Sequence, residues 1–247
     1  MAAGTASRKT SRGPRQQRVL AAIGVQVWVP RAGSAPVTAP APVPVPDVPP
    51  MHMQSDPSPE SGLAAWTELR AEVAACTRCA LHKTRTQTVF GTGSPQARWL
   101  VIGEAPGADE DRQGEPFVGR AGQLLTEMLR AVGVSREQVF IANVLKCRPP
   151  ENRDPTPEEA KSCESYLLRQ IALIQPRLIL VVGRIAAQNL LQVDTPIGKL
   201  RGEVHAYGPA RIPVVVTYHP AYLLRSPGQK ARAWDDLCLA RDRVAPI

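Results

Sequence analysis

The run WLVIG (Trp99–Gly103), followed by EAPGADEDRQGEPFVGRAGQLL (Glu104–Leu125), decides how the rest of the chain is read. Five apolar residues closed by a glycine have the length and composition of a buried strand. The next segment with helical periodicity is AGQLLTEMLRAVG (121–133). A strand, a glycine-bearing turn and a helix make the opening unit of an α/β fold. The turn is unusual because it carries Glu104, Asp109, Glu110, Asp111 and Glu115. Carboxylates repel phosphate and the stretch lacks G-x-G-x-x-G, so a dinucleotide cradle is the weakest of the readings weighed below.

Working outward, three more short apolar runs match the first: VFIANV (139–144), LILVVG (178–183) and PVVVTY (213–218). Helical segments alternate with them at 61–76, 156–174, 184–192 and 229–242, and Leu63, Trp66, Leu69 and Val73 share one face of the first. The expected fold is a three-layer α/β/α domain over residues 61–247 with a central four-stranded parallel sheet. In such sheets ligands bind beyond the carboxyl ends of the strands. The segments to inspect therefore begin at Gly103, Asn143, Gly183 and His219.

Composition sets outer bounds. Of 247 residues 43% are hydrophobic and 21% charged, as in ordinary globular proteins. Lys and Arg number 30 against 22 Asp and Glu, a net +8. That excess is compatible with a polyanionic partner but equally with a basic enzyme. No apolar run is long enough to cross a bilayer, so no membrane partner is expected. Residues 1–60 are basic and then Pro/Ala-rich, ending in AGSAPVTAPAPVPVPDVPP and the tail that follows it. Such a sequence cannot bury a core and is read as a disordered extension or a misassigned start. A secretory signal is the second reading of its basic and apolar stretches.

Five cysteines argue against a secreted disulfide scaffold. Cys76 and Cys79 form C-x2-C, Cys147 follows the second strand, and Cys163 lies in a helix. Four thiolates suit zinc or an iron–sulfur cluster, and spacing does not choose between them. Cys238, between Leu237 and Leu239, is read as a small hydrophobe.

Five motifs now stand in order: GEAPGADE, GEPFVGRAGQLL, NVLKCRPPENR, the four cysteines and HPAYLLR. Together they resemble the family-4 uracil-DNA glycosylases, over roughly Cys76 to Asp236. The resemblance implies a 4Fe–4S cluster on Cys76, Cys79, Cys147 and Cys163. It implies hydrolysis of the bond between uracil and deoxyribose, leaving an abasic site for base excision repair. It also implies a monomeric cytoplasmic enzyme whose partner is uracil-containing DNA. A related branch traps uracil on a histidine in an inserted basic loop; here NVLK runs straight into CRPPENR, which points to turnover.

The resemblance assigns the pocket to Glu104, Ala105, Glu110, Phe117, Asn143 and His219. A glycosylase must take its base out of the stack. Phe117 would stack uracil. The Asn143 amide would accept from N3–H and donate to O4, a pattern that cytosine reverses. His219 would donate to the charge developing on O2. Glu104 would position or activate water, and Glu110 would line the pocket near C5. The best-known branch of the superfamily has an aspartate in place of Ala105 and a tyrosine in place of Gly107, so neither task can be transferred to these positions. For DNA, Leu223, read as lying on a loop, would wedge into the gap left by the flipped base. Arg225, Arg148 and Arg153, with Lys146, would meet phosphates. Gly119 and Gly122 would permit close backbone approach. The competing readings are a non-catalytic nucleic-acid binder with a structural metal and, last, a dinucleotide enzyme.

Overall fold

The parallel strands read from the sequence are all present in the computed structural model, which describes residues 59–244. The extension over 1–60 lies outside the described residues except for Pro59 and Glu60, the first two residues of helix α1 (Pro59–Ala74). The elements that follow are β1 (Thr92–Gly93), β2 (Trp99–Gly103), α2 (Ala108–Gln113), α3 (Arg120–Ala131), β3 (Val139–Asn143) and α4 (Pro157–Ile174). The second half holds β4 (Leu178–Val182), α5 (Arg184–Leu191), α6 (Ile197–Leu200), β5 (Val204–Tyr207), β6 (Ile212–Thr217), α7 (Pro220–Arg225) and α8 (Lys230–Arg241).

The sheet order is β1-β3-β2-β4-β6-β5. The inner four strands are parallel, as expected, and every residue of β2, β3 and β4 is buried. Burial on both faces is why these strands appear as unbroken apolar runs. Successive residues alternate between two cores. Leu100, Ile102, Ile179 and Val181 pack under α1, α4 and α5. Trp99, Val101, Leu178 and Leu180 pack under α3, α7 and α8. The sheet has six strands rather than four because antiparallel β1 and β5 close its edges. Two-residue β1 has no periodicity to read, and β5 is half-exposed. On α1, Trp66, Leu69 and Val73 are buried but Leu63 is 65% exposed, so the apolar face begins one turn later than expected.

β2 lies between β3 and β4, so the chain reverses its direction across the sheet at β2. This switch point places the ends of β2, β3 and β6 around one crevice.

Candidate active site

A cleft of about 470 Å³ opens at the carboxyl end of the sheet, lined among others by Glu104, Ala105, Glu110, Phe117, Asn143 and His219. Gly103 ends β2 at its floor. A Cβ there would strike Asn143 Oδ1 and stand 2.6 Å from Phe117 Cζ. Two side chains distant in sequence, Asn143 and Phe117, thus meet over one glycine.

Phe117 is held in a left-handed conformation, φ 55°. A bulky residue pays about 1–3 kcal/mol for that geometry, so the surroundings must enforce it. Glu110 Oε1 accepts from the Val118 and Gly119 N–H groups (3.0 and 3.2 Å), and its Oε2 accepts from Gly107 N–H at 3.1 Å. Arg136 donates to the Pro116 carbonyl from the other side. Gly122 admits the Phe117 carbonyl where a Cβ would clash. The result is a rigid aromatic floor. Glu110 lines the cleft as expected, but both of its oxygens are committed to organising this loop.

Asn143 is 2% exposed, and its Oδ1 is a buried acceptor without a hydrogen-bond partner among the described residues. Such an atom normally costs about 1–3 kcal/mol, so it marks a place where a ligand donor completes the structure.

His219 caps α7, its Nδ1 accepting from Ala221 N–H at 3.1 Å. Nε2 therefore carries the proton in the neutral ring. Burial first, and then the Arg225 charge, lower its pKa to about 4, so the imidazole is neutral at physiological pH. Its ring lies 5.7 Å from that of Phe117, tilted by 31°.

Burial, reinforced by the Asp154 charge and opposed by Arg184, raises Glu104 to about 7. A carboxylate of that basicity can take a proton from water near neutrality. Its raised pKa also means that the folded chain binds this proton more tightly than the unfolded one. Stability from this group is fully present below about 4.5 and is lost as pH rises through about 7. Glu104→Gln should accordingly raise Tm at pH 8, by about 2–4 °C, and leave it unchanged at pH 4. Thermal melts at the two pH values check this.

The four cysteines also converge. Cys76 and Cys79 pack against the same core that holds Cys147 and Cys163. Cys147 senses Cys79 and Cys76 electrostatically, and Cys163 senses Cys147 and Cys76. Arg85 donates to Cys147 Sγ at 3.0 Å and Lys146 N–H to Cys163 Sγ at 3.2 Å, the contacts expected around sulfur ligands carrying negative charge. Burial pushes the Cys163 thiol up to about 11, so a bound cation is what would hold it as thiolate. The all-sulfur donor set fits a thiolate-ligated metal group. Cys238 stands on α8, on the other face of the sheet.

The profile of the uracil DNA glycosylase superfamily matches residues 90–238. The chain belongs to the uracil-DNA glycosylase superfamily. A type-4 uracil-DNA glycosylase of Archaeoglobus fulgidus is 51% identical over 163 residues, covering 63% of this chain and 81% of the relative. The type-4 protein of Thermotoga maritima is 46% identical over 159 residues, covering 64% and 82%. A type-5 uracil-DNA glycosylase of Thermus thermophilus is more distant, 36% identical over 118 residues, with 42% and 53% covered. As a type-4 member of this superfamily, the chain carries every motif quoted above in order.

Some expected residues sit elsewhere in this superfamily member. Leu223 is on helix α7, not a loop, and is 1% exposed within the core, so it cannot act as a wedge without unpacking the helix. The exposed apolar side chains on that helix are Tyr222 and Leu224. Lys146 is buried too and cannot meet phosphate. Arg153 forks onto Glu159 at 2.8 and 2.6 Å, which occupies the guanidinium. Arg148 bonds Asn152 Oδ1 at 2.7 Å, and Arg225 is exposed at the rim of the cleft. Asn152 and Tyr222 line the cleft and were not singled out in the sequence. Asn152 lies in a pair of left-handed residues, Glu151 and Asn152, which the ENR stretch did not announce. Among the described residues no helix is long and apolar enough to cross a membrane.

Proposed function

We propose that this chain excises uracil from DNA, hydrolysing the N-glycosidic bond to leave an abasic site. The observation that carries the reading is the buried Asn143 Oδ1, which has no hydrogen-bond partner among the described residues and lies in the cleft that Phe117 and the neutral imidazole of His219 also line. Uracil offers the missing donor at N3–H. Cytosine has an acceptor there and would leave Oδ1 unpaired, a difference that supports discrimination of about 10⁴-fold or more.

The flipped base stacks on Phe117 with N3–H on Asn143 Oδ1. His219 Nε2–H donates to O2. As the C1′–N1 bond breaks, its electron pair passes into the uracil ring, and the charge on O2 strengthens that hydrogen bond. The sugar is left with oxocarbenium character. Water adds to C1′ and loses its proton to Glu104. Since uracil departs ahead of water attack, water activation is worth less here than general-base help usually is. Glu104→Gln should slow single-turnover excision about 10-fold and abolish the rise in rate with pH through about 7. A pH–rate profile of both proteins checks this.

Cys76, Cys79, Cys147 and Cys163 would hold the 4Fe–4S cluster. When bound, it supplies a covalent tie between the segment after α1, the segment after β3 and helix α4. Purified protein should be brown with about four irons per chain, and Cys163→Ala should lose the iron. Stoichiometric zinc in place of iron would overturn this assignment. The reading carries with it a monomeric cytoplasmic enzyme, with Arg225 and Arg148 at the DNA backbone.

The test of function is a uracil-containing oligonucleotide incubated with protein and then treated with alkali. Fast strand scission with wild type and far slower scission with Asn143→Ala supports the enzyme. Binding without scission supports a non-catalytic binder.

A further inference from the structure

Lys146 has no place in the chemistry above, yet it is one of the largest fully buried side chains. Among the described residues no carboxylate receives its ammonium. Nζ donates instead to the Asn143 main-chain carbonyl at 2.9 Å and to Gln170 Oε1 at 2.6 Å. Gln170, 0% exposed on α4, is fixed in turn by donating Nε2–H to the Phe90 carbonyl at 2.9 Å. The main chain of Lys146 is held at both ends, its N–H donating to Cys163 Sγ and its C=O accepting from Val89 N–H at 2.8 Å.

This arrangement sits at a weak point of the sheet. Asn143 is the last residue of β3, and its carbonyl lies beyond the regular ladder. Val144 and Leu145 continue along β2, donating to the Gly103 and Glu104 carbonyls, but the Asn143 carbonyl turns toward Lys146. A buried carbonyl left unpaired there would let the strand end shift, and the Asn143 amide with it. A buried cation is costly in any fold, and of the four cysteines Cys163 and Cys147 are the ones close enough to act on it. The side chain of Lys146 thus ties the end of β3 to α4, while its main-chain N–H ties the same residue to Cys163.

We propose that Lys146 is a positioning residue for Asn143, acting through the main-chain carbonyl of that residue and backed by Gln170. This rests on the uracil-excision reading above. Asn143 then owes its place to a strut anchored in the cysteine site, and the strut sets both rate and the preference for uracil over cytosine.

The test is a double-mutant cycle on iron-replete full-length protein, read in single-turnover excision, with iron content, visible absorbance and the Tm shift produced by free uracil measured alongside. Lys146→Met should slow excision about 10–50-fold in the wild-type background, reduce the uracil-induced Tm shift, and keep the iron. In an Asn143→Ala background the same change should cost less than about 3-fold, because the group it positions is gone. Gln170→Leu leaves the lysine in place, removes a side chain whose hydrogen bonds go to Lys146 and the Phe90 carbonyl, and should show the same pattern at about 3–10-fold. Lys146→Arg, which keeps charge and donors, should recover part of the loss. Equal losses in both backgrounds, no loss with either variant, or loss of iron in both would overturn the proposal. Absence of excision by the wild-type protein would instead remove the functional reading on which it rests.

Discussion

His219→Ala should slow single-turnover excision by about 10²–10³-fold, and by the same factor at every pH from 6 to 9. The size follows from removing one fixed donor aimed at the atom where charge accumulates. The flat pH dependence follows from the local geometry. Ala221 N–H occupies Nδ1, and burial with the Arg225 charge nearby holds the ring neutral down to about 4. The donor is therefore an imidazole N–H throughout that range. If an imidazolium did the work, wild-type activity would fall with rising pH through the ordinary histidine range near 6.5. A neutral donor has a further advantage. It is matched to an anion that exists only as the bond breaks, so it does not grip the ground-state base. His219→Gln, which can present an N–H of similar reach, should recover part of the loss. A pH–rate series on wild type and both variants measures all three expectations.

Gly103→Ala should be nearly as damaging, at about 10²-fold or more, although it adds only a methyl group and touches no substrate. Its Cβ would meet Asn143 Oδ1 on one side and Phe117 Cζ at 2.6 Å on the other. Neither neighbour can yield cheaply. Asn143 is anchored at the end of β3, and Phe117 is clamped by Glu110, Arg136 and the close approach of Gly122. One substitution thus displaces the edge reader and the stacking floor together. Free uracil should lose its affinity in parallel, which separates this effect from one confined to the chemical step. The comparison is the uracil-induced Tm shift of the variant against that of wild type.

The parts of this fold that could be read in advance are those where sequence and burial share one period. WLVIG and LILVVG are strands because both of their faces meet a core, so no polar residue interrupts them. β1 and β5 have no such constraint at the sheet edges and left no pattern. Asn143 and His219 were legible as cleft residues because motif and strand end coincide, and Phe117 as the one aromatic in the loop that follows β2. Leu223 misled because HPAYLLR, with its proline, reads as a loop. Pro220 instead occupies the first position of α7, where proline is favoured, and the helix turns Leu223 inward. Glu110 lines the cleft as read, but three backbone N–H groups also claim its carboxylate. No sequence pattern reports where orphan amides will point. Lys146 looked like any basic residue in a DNA-binding loop. Its burial depends on Gln170, 24 positions away, which only the folded chain brings within reach.

Type-4 membership and the geometry of the cleft come together at one atom, the buried Asn143 Oδ1. A crystal structure of the chain soaked with uracil examines that atom directly. The base should lie flat against Phe117, with N3 within hydrogen-bonding distance of Asn143 Oδ1 and O2 within reach of His219 Nε2. Uracil bound outside this cleft, or seated in it with its N3 edge turned away from Asn143, would contradict the account.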